Sequence, residues 1–193
     1  MDNETDSFWR NFYATKDLIC LPAKRPELWR KLYSFFGGKV KKRVLFVCVH
    51  NSARSQMAEA WLNYLYGDSF YAQSAGLKPG SLNPLAVEVM QEVGIDISYK
   101  KTQGVFDLVK VDTFFDYVIT VCDKASAEQC PTFSGECERI GWNFADPSAF
   151  VGSKEEKLQQ TRVIRDSIKE KIESWCSTTK QGNVARAFQK KIN

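Results

Sequence analysis

The feature that most restricts how this chain can fold is an apolar run that stops at a cysteine and is followed by a short polar turn. Residues 44–48 read Val-Leu-Phe-Val-Cys, the turn covers residues 49–53, and an amphipathic pattern starts at Arg54. A short continuous apolar run is typical of a strand buried on both faces of a parallel sheet, and the following pattern is typical of a helix. The sequence therefore predicts a strand, a loop and a helix around Cys48.

The predicted junction is suited to holding an anion next to a nucleophile. A helix N-terminus offers free backbone N–H groups and the positive end of the helix dipole, and open α/β sheets place ligands at the carboxyl ends of strands. Arg54, six positions after Cys48, adds a permanently charged planar guanidinium, and Ser55 adds a hydroxyl donor. These groups favour the thiolate over the thiol. An isolated cysteine is more often a small buried hydrophobe, but this spacing indicates a nucleophile in an oxyanion-binding loop.

Length and hydrophobic content indicate one domain with extensions. The chain has 193 residues, 44% of them hydrophobic, which is enough for one sizeable core. No apolar run approaches the length of a membrane span, and the acidic first six residues lack the basic start of a signal peptide. We therefore expect the protein to be cytoplasmic.

The formal charge of +4 is unevenly distributed along the chain. Residues 1–43 carry 10 Lys and Arg against 5 Asp and Glu, residues 178–193 carry 4 against none, and residues 44–177 carry 13 against 18. A mildly acidic domain between basic flanks gives no indication of nucleic-acid binding. We divide the chain into an aromatic-rich basic N-terminal extension (1–41), a catalytic domain (42–177) and a basic C-terminal tail (178–193).

Six cysteines are spread over the chain: Cys20, Cys48, Cys122, Cys130, Cys137 and Cys176. In a chain of this size without a leader, we expect reduced thiols or redox catalysts rather than a disulfide framework. A zinc site has little support, since the single histidine lies inside the predicted loop and no Cys-x2-Cys pair occurs. We expect no metal and no bound cofactor.

The N-terminal extension is rich in aromatic residues, with eight in residues 1–43, too many for an ordinary solvated tail. Pro26, the apolar residues that follow it and the stop at Gly37 and Gly38 predict a short helix with a wide apolar face over residues 26–36. We expect this face to be covered by the central domain or by a second copy in a homodimer. Docking to a membrane surface or to another protein is the alternative.

Strand and helix patterns alternate through the rest of the chain. After the helix that starts at Arg54, the predicted elements are a strand at 69–76, helices from Pro84 and at 105–109, strands at 115–122 and 139–142, and a long helix at 154–176. The third strand, like the first, ends in a cysteine. This alternation predicts an α/β fold, a three-layer sandwich with a four-stranded parallel sheet.

Four stretches of the sequence together resemble one family. They are residues 48–60 (Cys-Val-His-Asn-Ser-Ala-Arg-Ser-Gln-Met-Ala-Glu-Ala), 74–76 (Ser-Ala-Gly), 121–123 with Cys130 and Pro131, and 142–147 (Trp-Asn-Phe-Ala-Asp-Pro). Over roughly residues 42–177 the chain resembles the arsenate reductase branch of the low-molecular-weight protein tyrosine phosphatase family, of the thioredoxin-coupled type. The resemblance implies a flavodoxin-like winding of the sheet and the reduction of arsenate to arsenite.

The resemblance implies roles for particular residues. Cys48 is the nucleophile, Asn51 shapes the loop, Arg54 holds the oxyanion, an arsenate or phosphate-like group, and Ser55 stabilises the thiolate. Asp146 is implied as the general acid that protonates the leaving oxygen, which agrees with the chemistry of a carboxylic acid beside an anion. Read without the resemblance, the Asp-Pro pair is equally typical of a turn. The implied oxyanion-binding loop comprises Val49, His50, Asn51, Ser52, Ala53, Arg54 and Ser55.

Arsenate reduction needs two electrons, and the resemblance implies thiols as their source. Cys48 attacks arsenic, and Cys122 then attacks the Cys48 sulfur to release arsenite. Cys130 moves the disulfide outward by thiol-disulfide exchange for an external reductant, which is thioredoxin, glutaredoxin or a low-molecular-weight thiol. Cys137 lies close enough in the sequence to compete with Cys130 as the final thiol.

Two other functions remain open at this stage. A protein tyrosine phosphatase with incidental cysteines would use the same loop, although residues 146–150 lack the early aromatic neighbour that phosphatases of this fold tend to carry after the Asp-Pro pair. A non-enzymatic module that binds oxyanions or a phosphorylated partner is the second alternative. For His50 we expect a side chain that points outward or supports the turn, rather than a catalytic base.

Overall fold

The computed structural model describes residues 41–111 and 113–192, and beyond residue 179 it describes the backbone alone. The predicted helix over residues 26–36 lies outside the described residues. The elements in chain order are β1 (Lys42–Cys48), α1 (Arg54–Tyr66), β2 (Phe70–Gly76), α2 (Pro84–Gln91), α3 (Val105–Lys110), β3 (Tyr117–Thr120), α4 (Lys124–Glu128), β4 (Glu138–Gly141), a 3-10 turn (Pro147–Ala149) and α5 (Lys154–Ile192).

The four strands form one parallel sheet in the order β2-β1-β3-β4. The register pairs Cys48 of β1 with Gly76 of β2, and Val47 with Thr120 of β3. The predicted parallel sheet and its flavodoxin-like winding are therefore confirmed. Because the carboxyl ends of parallel strands meet at one edge, the residues that follow β1, β2 and β3 lie close together.

Residues of β1 point alternately into two apolar clusters, one on each face of the sheet. Val44, Phe46 and Cys48 belong to a cluster with buried residues of α1, α2 and α5. Leu45 and Val47 belong to a second cluster with residues of α3 and with the segment around residues 130–133. Because residues 44–48 of β1 are buried, the loop that follows them is anchored to the core of the molecule.

Several element bounds differ from the sequence prediction. β3 covers four residues instead of eight. Just before it, the Asp116 carboxylate accepts hydrogen bonds from the Arg43 N–H (2.7 Å) and from Lys42 Nζ (3.0 Å), and the Asp116 N–H donates to the Arg43 carbonyl (2.8 Å). Cys122 lies two residues after the end of β3. α5 continues to Ile192, through residues assigned to the basic tail, and is longer than the predicted 154–176.

None of the helices in the part of the chain that the structure describes is both long enough and apolar enough to cross a membrane.

Candidate active site

The loop between β1 and α1 turns its carbonyl groups away from the sulfur of Cys48. The carbonyl oxygens of residues 48, 49, 50 and 52 accept hydrogen bonds from backbone N–H groups of residues 77, 78, 80 and 83, at 2.8 to 3.1 Å. A loop whose carbonyls point outward presents its N–H groups inward, where they form a concave anion-binding nest. The backbone at the start of α1 thus has the arrangement expected of the predicted oxyanion cradle.

Two residues allow the loop to close tightly. Asn51 has a left-handed backbone conformation with φ of 52°, which asparagine tolerates better than most residues. Gly76 lies directly against the loop, and a Cβ atom there would stand 2.7 Å from the Asn51 nitrogen and 2.9 Å from the Val49 oxygen. Any larger residue at position 76 would push the loop out of its conformation.

The sulfur of Cys48 is held by two polar contacts in a buried position. The Asn51 N–H donates to Sγ over 3.1 Å, and the hydroxyl of Ser55 lies 3.0 Å from the same atom. The Asn51 side-chain amide donates to the Ser55 oxygen (3.0 Å). Because that bond occupies the Ser55 oxygen as an acceptor, the hydroxyl proton of Ser55 is available to the sulfur. Both contacts stabilise a thiolate.

The orientation of the Asn51 amide is fixed by its other partners. Its oxygen accepts from the backbone N–H of Gln103 (2.9 Å) and from Gln56 Nε2 (3.2 Å). A backbone N–H can only donate, so the amide nitrogen must face the hydroxyls of Ser55 and Ser74 (2.8 Å). The amide therefore donates in two directions, through Ser55 toward the Cys48 sulfur and to Ser74 on the other side.

Sequence reasoning assigned no role to the outer part of this network. The Ser74 hydroxyl donates to Glu59 (2.6 Å), and the other oxygen of Glu59 forms a salt bridge with Lys100. Gln56 and Ser74 are each 1% exposed. The sequence contained one signal for this network, a polar residue at a position predicted to be buried. Buried polar groups need hydrogen-bond partners, so such a residue indicates a network around it.

Arg54 and Asp146 face each other at the mouth of the loop. The Arg54 guanidinium forms a salt bridge with the Asp146 carboxylate and donates to the carbonyl of Phe144 (3.1 Å). The other carboxylate oxygen of Asp146 accepts from the Ser148 N–H (3.0 Å) and caps the 3-10 turn. The turn and the acid are therefore compatible interpretations of the Asp-Pro pair. The structure places the predicted clamp and the predicted acid side by side.

Cys122 lies within electrostatic range of Cys48, the predicted nucleophile. The Val121 N–H donates to the Val47 carbonyl (2.8 Å), which extends the pairing of β3 with β1 up to the residue before Cys122. Burial, and after it the negative charge of the Cys48 thiolate, raise the pKa of Cys122 to about 11, although the Arg54 guanidinium opposes the shift. The adjacent Asp123 both caps α4, by accepting from the Ser126 N–H (2.9 Å), and adds to the raised pKa of Cys122.

Cys130 lies in a different environment from Cys122. It is buried in the apolar cluster on the opposite face of the sheet from the one that contains Cys48. Burial raises the pKa of its thiol, while Arg139 lowers it and Cys137 raises it. The structure thus places Cys122 with Cys48, and Cys130 with Cys137.

The remaining residues of the loop contribute to the site through their backbone. Val49, Ser52 and Ala53 form the wall of the cradle, with Ser52 and Ala53 buried. His50 is exposed, and its Nδ1 lies 3.1 Å from the carbonyl oxygen of Lys78, a contact that supports the turn. Among the described residues, no group of three or more His, Cys, Asp or Glu side chains could hold a metal ion.

Comparison with known proteins gives a consistent pattern. Residues 43–186 match the model of the family described as low molecular weight phosphotyrosine protein phosphatase. The arsenate reductase of Halalkalibacterium halodurans is 40% identical over 140 residues, which cover 72% of this chain and 99% of that relative. A solved arsenate reductase in the phosphate binding state has a TM-score of 0.58 and 29% identity, covering 71% of this chain and 98% of that one. The thioredoxin-dependent arsenate reductase of Corynebacterium glutamicum has a TM-score of 0.50 and 28% identity, covering 75% and 69% respectively.

Proposed function

Because this chain belongs to the low-molecular-weight phosphotyrosine protein phosphatase family, with arsenate reductases among its relatives, we propose that it reduces arsenate to arsenite. The observation that carries the proposal is the buried thiol of Cys122 within electrostatic range of Cys48. A phosphatase needs no second thiol, since water can hydrolyse a phosphocysteine. Reduction requires two electrons, and a pair of cysteines supplies them as a disulfide.

The first step uses the loop. Arsenate lies in the backbone cradle with its oxygens against Arg54, and the Cys48 thiolate attacks arsenic. Asp146 protonates the oxygen that leaves as water, and a Cys48–arsenic bond is formed. The planar guanidinium suits this substrate, because it makes two parallel contacts to a tetrahedral oxyanion.

The second step uses Cys122. Its sulfur attacks the Cys48 sulfur and gives up its proton to an oxygen of the arsenic group, the arsenic–sulfur bond breaks, and the bonding electrons remain on arsenic, which leaves as arsenite. At neutral pH Cys122 is a protonated thiol, since its pKa is about 11.

The third step returns Cys48 to its starting state. The Cys130 thiolate attacks the Cys122 sulfur, so that Cys48 is released as a thiolate and the disulfide now joins Cys122 and Cys130. An external dithiol then reduces the protein. Thioredoxin is the first candidate, because a structural relative of this chain is a thioredoxin-dependent arsenate reductase.

The decisive experiment supplies the full-length protein with arsenate and a thioredoxin system and, in parallel, with a phosphotyrosine analogue. Rapid arsenate-dependent oxidation of NADPH with slow ester hydrolysis supports the proposal. The reverse ratio would identify a phosphatase with incidental cysteines. Oxyanion binding with no turnover of either compound would instead identify a binding module.

A further inference from the structure

Four of the described thiols differ in how easily another protein can reach them. Cys48, Cys122 and Cys130 are 2%, 3% and 5% exposed, whereas Cys137 is only partly buried. A protein reductant must bring its own thiolate into line with the sulfur that it attacks. In this structure, with all four thiols free, the two sulfurs that the third step joins, those of Cys122 and Cys130, are both buried.

Cys130 and Cys137 are neighbours in space as well as in sequence. Cys130 belongs to the apolar cluster formed with α3, and Cys137 packs against the same cluster. The guanidinium of Arg139, two residues after Cys137, donates to the carbonyl of Cys130 over 3.0 Å, so the start of β4 is tied to the Cys130 backbone. Gly135 has a positive φ of 83°, which lets the chain reverse between the two cysteines.

From this arrangement we propose that Cys137 is a fourth thiol of the relay, and that a disulfide between Cys130 and Cys137 is the one that the external reductant reduces. The inference rests on the proposed arsenate reduction and adds one exchange to it. The Cys137 thiolate, its proton released to solvent, attacks the Cys130 sulfur of the disulfide between Cys122 and Cys130. The bond to Cys122 breaks, and Cys122 leaves with the electron pair and is protonated.

This exchange consumes no electrons, because one disulfide replaces another. It carries the oxidising equivalent from the buried site to a partly exposed sulfur. An external dithiol then attacks Cys137, and Cys130 leaves as its thiol. The location of Cys137 immediately before β4 places this last step at the edge strand of the sheet.

Digestion with trypsin distinguishes the three disulfides that the successive exchanges would form, and it does so in the wild-type protein. Cys48 lies in the peptide 44–54, Cys122 in the peptide 111–124, and Cys130 and Cys137 share the peptide 125–139. The reduced full-length protein is given one equivalent of arsenate without reductant, quenched by acid, alkylated and digested. A disulfide between Cys130 and Cys137 then appears as a single peptide that has lost two hydrogens. A disulfide between Cys122 and Cys130 appears as two linked peptides.

We expect one arsenite per chain and the internal disulfide of peptide 125–139 as the main product. Arsenite release with the linked peptides 111–124 and 125–139 as the final product would overturn the inference and leave the proposed function intact. Absence of arsenite would overturn the proposed function, and the inference with it.

The Cys137→Ser variant tests the same step in steady state. It should release one arsenite per chain at the wild-type rate without reductant, and then accumulate the disulfide between Cys122 and Cys130. With thioredoxin its turnover should fall roughly 10-fold or more, since the reductant must reach buried sulfurs. With dithiothreitol the loss should be much smaller, because a small dithiol enters more easily.

The matched control is Cys176→Ala, which changes a buried cysteine of α5 that is 0% exposed. It should behave as the wild type with both reductants. Wild-type turnover of Cys137→Ser with thioredoxin, or an equal loss with thioredoxin and dithiothreitol, would show that Cys137 takes no part in the relay.

Discussion

The loop after β1 and the segment after β3 both follow the end of a parallel strand, and both bring a buried cysteine to the same edge of the sheet. Their backbones are held differently. The loop is bonded through four of its carbonyls to residues 77–83, a distant part of the chain. The backbone bonds described for residues 123–130 are local, and α4 contains no buried residue.

This difference fits two kinds of chemistry. Capture of an oxyanion needs donors fixed before the substrate arrives, since their reorganisation would cost transition-state stabilisation. Thiol-disulfide exchange needs sulfurs that approach one another in turn. A segment held by local bonds can open at a lower free-energy cost than a loop tied to the sheet and to the next helix. Substitutions in each region should therefore have different effects on oxyanion chemistry and on thiol exchange.

The largest effect is expected from Cys48→Ser in the loop. A neutral hydroxyl cannot replace the stabilised thiolate, so both arsenate reduction and ester hydrolysis should fall by roughly 10⁴-fold or more. Turnover with arsenate and with p-nitrophenyl phosphate measures this. Retention of a substantial fraction of either activity would remove Cys48 from the mechanism.

The Cys122→Ser variant should distinguish the contribution of the loop from that of the segment after β3, since only arsenate reduction needs the second sulfur. We expect multiple-turnover arsenate reduction to fall to background. Slow ester hydrolysis should stay within about 3-fold of wild type, because the serine side chain has a volume similar to that of cysteine and keeps the packing beside the loop. The two activities are measured on the same preparation. Equal loss of both activities would show that Cys122 is structural and that the segment after β3 has no separate role in reduction.

Asp146→Asn probes the acid beside the loop. Loss of a positioned proton donor typically costs about 10²-fold, and we expect that reduction in the formation of the Cys48 adduct. The loss should be greater for phenyl phosphate than for p-nitrophenyl phosphate, because the poorer leaving group depends more on protonation. An equal loss for the two esters would indicate that Asp146 only positions Arg54.

The raised pKa of Cys122 gives a smaller, pH-dependent effect. Only the thiolate reacts with iodoacetamide, and at pH 8 a thiol with a pKa of about 11 is almost entirely protonated. Cys48→Ala removes a negative charge that raises this pKa, so alkylation of Cys122 at pH 8 should become several-fold faster. Mass spectrometry of peptide 111–124 follows the reaction, with Cys137 as the internal control. An unchanged rate would mean that the two thiols are not coupled.

The smallest effect is expected from deletion of residues 1–41. All the proposed site residues lie between Cys48 and Asp146, so single-turnover arsenite release should remain within about 2-fold of wild type. From the aromatic composition of the segment we expect lower solubility or stability of the shortened chain. A truncated protein that keeps its solubility, stability and oligomeric state would argue instead for a tether to an absent partner.

Sequence reasoning was most successful where structure follows from local pattern. The apolar run before Cys48, the polar turn and the amphipathic helix after it are adjacent in the chain, and the parallel sheet followed from their alternation with later strands. It was less successful at element ends. Asp123, for example, starts α4 by accepting a hydrogen bond from the Ser126 N–H, a side-chain contact that periodicity does not reveal.

The sequence by itself determined the family, and it predicted Cys48 as the nucleophile of an oxyanion cradle, because Cys48, Arg54 and Ser55 are joined by spacing within one strand and one helix turn. The tertiary structure decided which thiol lies next to which. Strand order puts β3 beside β1 and so brings Cys122 within electrostatic range of Cys48, while side-chain packing places Cys130 and Cys137 together on the opposite face of the sheet. Such contacts join residues far apart in the chain, and their geometry depends on register and packing, which no local sequence pattern records.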